Sequence, residues 1–504
     1  MFIYLVLLLI IYTAYLLNGW LKKTFTVFEN RGVPHKKPVP FIGNALDFLK
    51  GKESLHKIMI RLYRQTKQHK IYGYYNFSQA FFIVNDPELI IKLGVKDSDT
   101  FANHQRLFNA DKDPLFSGML TVMRDQRWKN MRNTLTPVFT ASKMRAMFTL
   151  MNDCFAESIK YLHKRLDGGN SVDINMKECF SRLSNDLIAT TAFGLKVNSF
   201  IDENNEFYTI GSSITKTKGL QALKFMLYSL SPKLFDLLGL KPFDKKRADY
   251  FVNLVSNAMK YREENNIHRP DMIQLMMEVK KDSPYNWSHE EIVAQCFIFF
   301  FAAFENNASF ICTTCHELMN NPDVQAKLYE EIMEFDKKLN GETLSYDTLK
   351  DMKYLNMVVS ESLRKWTLAA LTDRECSSDY DVTDDEGNLI CKLKQGDRIW
   401  FQIVGIHWDD EYYPNPETFD PERFNDENKA NMKSMTYLPF GVGPRICIGN
   451  RYALMQAKAM IYYLLKEFKL ERSEKTCNNL LDDLRGFQVS PKSGFWLKLV
   501  QRTK

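Results

Sequence analysis

The sequence predicts a mainly α protein with small β-sheets, an α+β chain, on three observations. Residues 145–200, 290–320, 354–366 and 452–465 repeat apolar side chains at helical spacing. The plainest extended runs, 71–75 and 81–84, are short and joined by a tight turn, as in a small hairpin. Residues 1–20 carry no charged side chain and read as an apolar helix set apart from the rest.

Composition narrows the classes. Hydrophobic residues at 45% and charged residues at 25% are ordinary globular values for a chain of 504. The 36 Phe and 22 Met suit a deformable apolar pocket, or simply a large core. A net charge of +6, with both signs interspersed, does not argue for nucleic acid. The nine cysteines, Cys154, Cys179, Cys296, Cys312, Cys315, Cys376, Cys391, Cys447 and Cys477, are odd in number and scattered, unlike a disulfide framework. They point to a reducing compartment. Cys312 and Cys315 fall inside a helical pattern with no second pair and read as helix packing.

Taken in order, the apolar start is followed by Lys22, Lys23, Arg31, Lys36 and Lys37. That flank reads as an uncleaved signal-anchor with the remainder in the cytosol; a core helix is the alternative. Pro34, Pro38 and Pro40 then read as a stiff, extended tether. After the hairpin, Asp86-Pro87 starts a helix running through Leu93. Residues 102–122, with Phe108, Asp111, Asp113, Pro114 and Gly118, read as a loop. Trp128 and Arg132 share a helical face at i, i+4. Residues 220–240 are apolar apart from the break at Pro232, and serve either as a second membrane contact or as core. The centre of the 290–320 helix is apolar on nearly every side, so Glu305 within it needs a partner. Glu361 and Arg364, at i, i+3, are placed to pair, with Arg423 downstream.

The chemistry concentrates at residues 440–449. An apolar run over 435–440 reads as extended and leads into three glycines and a proline, which forbid regular structure; an amphipathic helix follows. Cys447 thus sits at a helix start, where backbone N–H groups and the helix dipole favour a thiolate of lowered pKa. Arg445 is placed to bind an anion and Phe440 to exclude water. Three readings remain open for such a thiolate. As a nucleophile it lacks an evident His partner, the nearest upstream being His407. As a zinc ligand it lacks a second cysteine at clip spacing. As an axial haem ligand it needs a propionate partner nearby, which Arg445 supplies.

Phe440-x-x-Gly443-x-Arg445-x-Cys447-x-Gly449 resembles the haem-binding loop of the cytochrome P-450 superfamily of haem-thiolate monooxygenases. The resemblance extends in order over residues 30–504 and looks like the microsomal detoxification branch that includes many insect enzymes. It implies the cytochrome P-450 fold with an N-terminal transmembrane helix. The divisions are a signal-anchor over 1–21, a basic, proline-rich hinge over 22–44 and a single haem-binding catalytic domain over 45–504. It implies haem b (iron protoporphyrin IX) with Cys447 as the iron ligand, Phe440 beside it, and Trp128, Arg132, Arg374 and Arg445 toward the propionates. Glu361, Arg364 and Arg423 match the family's structural triad, and the 488–494 turn would line the pocket. Also implied are an NADPH-dependent reductase, with cytochrome b5 as a second donor, and a lipophilic small-molecule substrate. The location implied is the endoplasmic reticulum membrane, in contact with lipid, with the catalytic domain facing the cytosol. Arg127, Lys129, Arg132, Lys143, Lys433 and Arg451 would form a basic docking face for the reductase.

One helix departs from the family pattern. Ala302, Ala303, Phe304, Glu305 and Asn306 stand where the family has small-Gly-x-acid-Thr. Glu305 and Asn306 are the catalytic candidates, managing protons. An Asn amide donates and accepts through different atoms, so it does not reproduce a hydroxyl relay. Two alternatives follow: an isomerase or dehydratase of lipid hydroperoxides needing neither O2 nor NADPH, or a non-catalytic haem protein that binds lipophiles.

Overall fold

The computed structural model describes residues 2–106, 113–215, 223–224, 227–228, 232–241 and 245–502. Helix α1 (Phe2–Phe25) buries none of its residues and is long and apolar enough to cross a membrane. The chain after it, expected from its prolines to be a stiff, extended tether, is packed against the rest of the protein. Phe28 and Val33 are buried, the Gly73 N–H bonds the Pro34 carbonyl at 2.8 Å, and Asn44 exchanges hydrogen bonds with Tyr75. The basic, proline-rich stretch is therefore zipped along the first strand. Helix α2 (Leu55–Thr66) starts at Ser54, whose side chain caps the Lys57 N–H. The hairpin forms as expected, β1 (Ile71–Asn76) against β2 (Gln79–Val84), and Asp86 caps the short helix after it.

The helical layer begins with α3 (Asp125–Leu135) and α4 (Ala141–Arg165). The expected run of helix through 145–200 is broken at Gly168-Gly169 by β3 (Ser171–Asn175) and resumes as α5 (Met176–Ala192). Then come α6 (Glu206–Thr215), α7 (Lys245–Asn265) and α8 (Met272–Asp282). In the 220–240 stretch, Leu220, Phe225, Met226 and Leu230 lie outside the described residues. Pro232 there opens a short helix whose Leu234 and Leu237 are exposed while Phe235 is buried. Likewise Phe108 and Asp111 lie outside the described part of the 102–122 loop, whose Pro114–Ser117 stretch is a helical turn capped by Asp113.

Helix α9 (His289–Asn320) runs through the middle of the molecule, packed on α5, α6 and α7. Ser288 and Glu291 form a reciprocal capping box at its start. Cys312 and Cys315 are buried in it as packing residues. Helices α10 (Pro322–Leu339), α11 (Lys353–Lys365) and, after the last loops, α12 (Asn450–Glu467) complete the layer. Between α11 and α12 lie β4 (Leu371–Glu375), β5 (Tyr380–Thr383), β6 (Leu389–Leu393) and β7 (Arg398–Gln402). The main sheet has the order β1-β2-β7-β4, with β2 and β7 parallel and the other pairs antiparallel. β9 (Trp496–Gln501) pairs with β3 on one side and β8 (Phe468–Glu471) on the other in a three-stranded sheet, and β5 pairs with β6. The result is mainly α with small sheets, as the sequence predicts.

The triad behind the cysteine loop is present. Arg364 Nε lies 2.7 Å from Glu361 Oε2 with both side chains fully buried, and Arg423 Nε approaches Glu361 Oε1 at 3.5 Å. Arg364 also donates to the His407 and Pro416 carbonyls, and Glu361 accepts the Asp420 N–H. These bonds tie α11 to the loops that lead to Cys447.

Candidate active site

The loop before α12 is shaped by close backbone contacts. Gly443 has φ +66°, and a Cβ there would lie 1.9 Å from the Gly94 carbonyl oxygen, so only glycine fits. The Cys447 N–H bonds the Phe440 carbonyl at 2.9 Å, closing the loop. The 435–440 run that feeds it turns rather than extends, with Met435 at φ +58°. His407 holds this run from behind. Its Nε2 accepts the Leu438 N–H at 2.8 Å, so Nδ1 carries the proton and donates to the Arg364 carbonyl. Burial pushes the His407 pKa down to about 3, and the neighbouring Arg364 charge adds to the fall. His407 is thus a neutral brace, not a base for Cys447.

Cys447 opens into a cavity of about 460 Å³. Across it stand Ile298, Phe299, Ala302, Ala303 and Asn306 of α9. Leu368, Ala369, Leu371 and Thr372 form one side wall, and Leu120 and Thr121 form another. Trp128, Arg132, Phe440 and Arg445 also line it, so six of the eight sequence-predicted site residues converge there: these four, Cys447 and Asn306. The 488–494 turn does not border this cavity.

Glu305 and Arg374 do not reach it. Glu305 turns away toward α5, where its Oε2 lies 2.7 Å from Lys177 Nζ; the same ammonium donates to Ser309 Oγ. That is the partner its burial demanded, and it separates the carboxylate from Asn306. Arg374 is buried behind the cavity and donates to the Val442 carbonyl at 2.7 Å. It borders a second recess together with Trp128, Arg132 and Arg445. Asn306 Nδ2 donates to the Ala302 carbonyl at 2.8 Å, which leaves Oδ1 as an acceptor beside the cavity.

Trp128 and Arg132, expected on one helical face, both lie on α3 and border the cavity, and Trp128 stacks with an arginine from another segment. Trp128 is buried, and the Arg445 guanidinium lies 3.7 Å above its ring centroid. Arg445 further donates to the carbonyls of Ala102, Leu120 and Met123.

Electrostatically the site has an excess of buried positive charge. Among the described residues, Arg132, Arg374 and Arg445 form no ion pair with a carboxylate. Burial lowers the pKa of all three, Arg374 to about 10 and Arg445, next to Arg374, to about 9. Asp373, whose charge reaches Arg374 and Arg445, is engaged by His104 and the Gln105 N–H. Such a cluster lacks an anion. The Cys447 thiol differs from expectation. Burial pushes its pKa up, and the Gly449 N–H and Arg132 only partly offset this. A positive metal centre is what would make it a thiolate. A thiol at one wall, flanking unpaired arginines and an otherwise apolar cavity together fit an iron porphyrin with two propionates.

Sequence reasoning missed His407 as a brace and Lys177 as the Glu305 partner; neither carries a local signal, since His407 acts across 31 and 43 positions and Lys177 across 128. It also left four of the basic residues free for docking. Arg127 pairs with Glu291, Lys129 with Asp99, Lys143 with Glu278 and Lys433 with Glu88.

Comparison with known proteins agrees with this site. The cytochrome P450 family model matches residues 33–497. Cytochrome P450 9b2 of Drosophila melanogaster is 55% identical over 498 residues, covering 98% of each chain. Cytochrome P450 9b1 of the same organism is 51% identical, covering 97% of each chain. Cytochrome P450 9e2 of Blattella germanica is 38% identical over 98% of this chain and 97% of its own. With the thiol, the arginines and the cavity in one place, the match over nearly the whole length means that the chain belongs to the cytochrome P450 family of haem-dependent monooxygenases, in the insect branch to which its sequence pointed.

Proposed function

We propose that the protein is a membrane-anchored monooxygenase that oxidises a lipophilic small molecule with O2. Its electrons come from NADPH through a partner reductase, with cytochrome b5 as a second donor. The carrying observation is the cavity itself: Cys447 on one wall, Asn306 on the opposite one, and mostly apolar side chains between them. Helix α1 and its Lys22 and Lys23 flank support anchoring in the endoplasmic reticulum membrane with the catalytic domain in the cytosol.

When bound, the haem supplies oxygen activation. Cys447 would hold its iron, and Arg132 and Arg445 would neutralise its propionates, with Trp128 as an uncharged neighbour and Arg374 adding its charge from behind the cavity. The residues of the chain then do the rest. Ile298, Phe299, Leu368 and Leu371 bind an apolar substrate and exclude water. Asn306 Oδ1 accepts a hydrogen bond from a water or a substrate hydroxyl, which positions a proton near the reacting centre. Glu305 reaches that water only when its pair with Lys177 opens, so Lys177 controls its part in proton supply.

The test is reconstitution of the full chain in phospholipid vesicles with an NADPH-dependent reductase. Lipophilic compounds should stimulate NADPH and O2 consumption together, with hydroxylated product formed. Turnover of a lipid hydroperoxide without NADPH or O2, and no oxygen-dependent product, would overturn the reading in favour of an isomerase.

A further inference from the structure

Gln295 is a lone amide in an apolar stretch of α9 and is fully buried. Every polar atom of its side chain is used. Its Oε1 accepts the Leu120 N–H at 3.1 Å, and its Nε2 donates to the Gly118 carbonyl and to the Glu291 carbonyl, the latter at 2.9 Å. This bonding fixes the amide's orientation, because a flipped amide would set N–H against N–H and carbonyl against two carbonyls. The loop is pressed onto the helix at the same point. A Cβ on Gly118 would lie 2.8 Å from the Ala294 Cβ, although its φ of −73° is open to any residue. Glycine is needed there for space. On the far side of the same residue, the Leu120 carbonyl accepts from Arg445 Nη1 at 3.2 Å. Leu120 is therefore pinned from α9 through its N–H and from the Cys447 loop through its carbonyl. Leu120 and Thr121 are cavity wall.

We propose that Gln295 is a specificity-determining positioning residue. Although it lies outside the cavity, it sets how far the Leu120–Thr121 wall stands from Asn306 and so which substrate widths are admitted. A loop held by side-chain contacts alone would shift with each ligand. Here two backbone groups of residues 118–120 are bonded to one rigid amide, so the wall keeps a single position. The inference rests on the cavity being the substrate site.

The test compares imidazole with 4-phenylimidazole by the haem spectral shift in the holoenzyme, for the parent, Gln295→Met, Gln295→Glu and Gly118→Ala. The two probes share the ligating ring, and the phenyl group must find room beside the wall. Gln295→Met keeps shape without hydrogen bonds; Gln295→Glu keeps the acceptor and removes the donors. Both should change the ratio of the two dissociation constants about tenfold, the scale of one or two lost hydrogen bonds. Imidazole affinity itself should hold. Hydrogen exchange at the Leu120 amide should speed up in the Met variant, a readout independent of turnover. Gly118→Ala, which pushes the wall away from α9 at Ala294, should alter the ratio as well and keeps the test open if a Gln295 variant does not fold. An unchanged ratio in folded variants would overturn the proposal. Failure of either azole to shift the parent spectrum would instead sink the reading of the cavity on which it rests.

Discussion

The two walls of the cavity are built on opposite physical plans. Behind Cys447, the bracing groups are tied together by polar contacts: Glu361 with Arg364 and Arg423, and His407 between the Arg364 carbonyl and the Leu438 N–H. The α9 wall is mostly apolar, with Ile298, Phe299, Ala302, Ala303 and Phe310, and its polar residues at the cavity are Asn306 and Asn307. Over-determined polar networks admit one geometry and punish any change. An apolar wall tolerates substitution if volume is kept. The contrast teaches that this chain spends its polar specificity on holding the thiol and leaves the oxygen side adjustable.

The comparison breaks first, and hardest, at the triad. Glu361→Gln leaves the Arg364 charge buried without its partner, a loss of about 3–5 kcal/mol. Chemical denaturation should read that loss, together with poor retention of haem. A change under about 1 kcal/mol would mean the thiol wall is not over-determined. His407 gives the next effect, as a pH dependence. The unfolded chain protonates it below its ordinary 6.5, while the folded protein resists until about 3. Between those values the unfolded state binds more protons, so stability contributed by His407 is full above 6.5 and lost as the pH falls toward 3. His407→Asn should flatten the stability profile in that window; an identical slope in both proteins would contradict the brace.

On the α9 wall the expected effects are functional and not structural. Asn306→Ala should lower product formed per NADPH by at least about tenfold, with melting temperature unchanged, because it removes the amide proposed to position a proton. Asn306→Thr should hold or raise that yield; a fall would mean the amide has a role that a hydroxyl does not fill. Lys177→Met should give the smallest effect, a loss of about 1 kcal/mol from the partly buried Glu305 left without this ammonium. A change in the pH dependence of product yield in the same variant would place Glu305 in proton supply, whereas an unchanged profile would leave it a purely structural pair.

How much of this was legible in the sequence follows from range. The loop at Cys447, the Glu361–Arg364 pair and the buried α9 were readable because each is encoded within one short stretch. What was not readable depends on distant packing. Arg445 stacks on Trp128 and reaches three carbonyls more than 300 positions away. Glu305 finds Lys177 on a different helix, and the proline-rich segment is captured by β1. The direction of the Cys447 shift also escaped, since burial outweighs the helix start and burial is a tertiary quantity. Gln295 left a usable trace, as the one amide in the apolar stretch between Glu291 and Glu305, whose partners had to exist.

The central claim is that the Cys447 sulfur is the haem ligand, held by a wall with no freedom to substitute another group. The reduced, carbon monoxide-bound spectrum of Cys447→His beside that of the parent tests it most directly. The parent should give the thiolate-type band, and Cys447→His, if it binds haem at all, should give the imidazole-type band. A thiolate-type band in the variant would contradict the assignment.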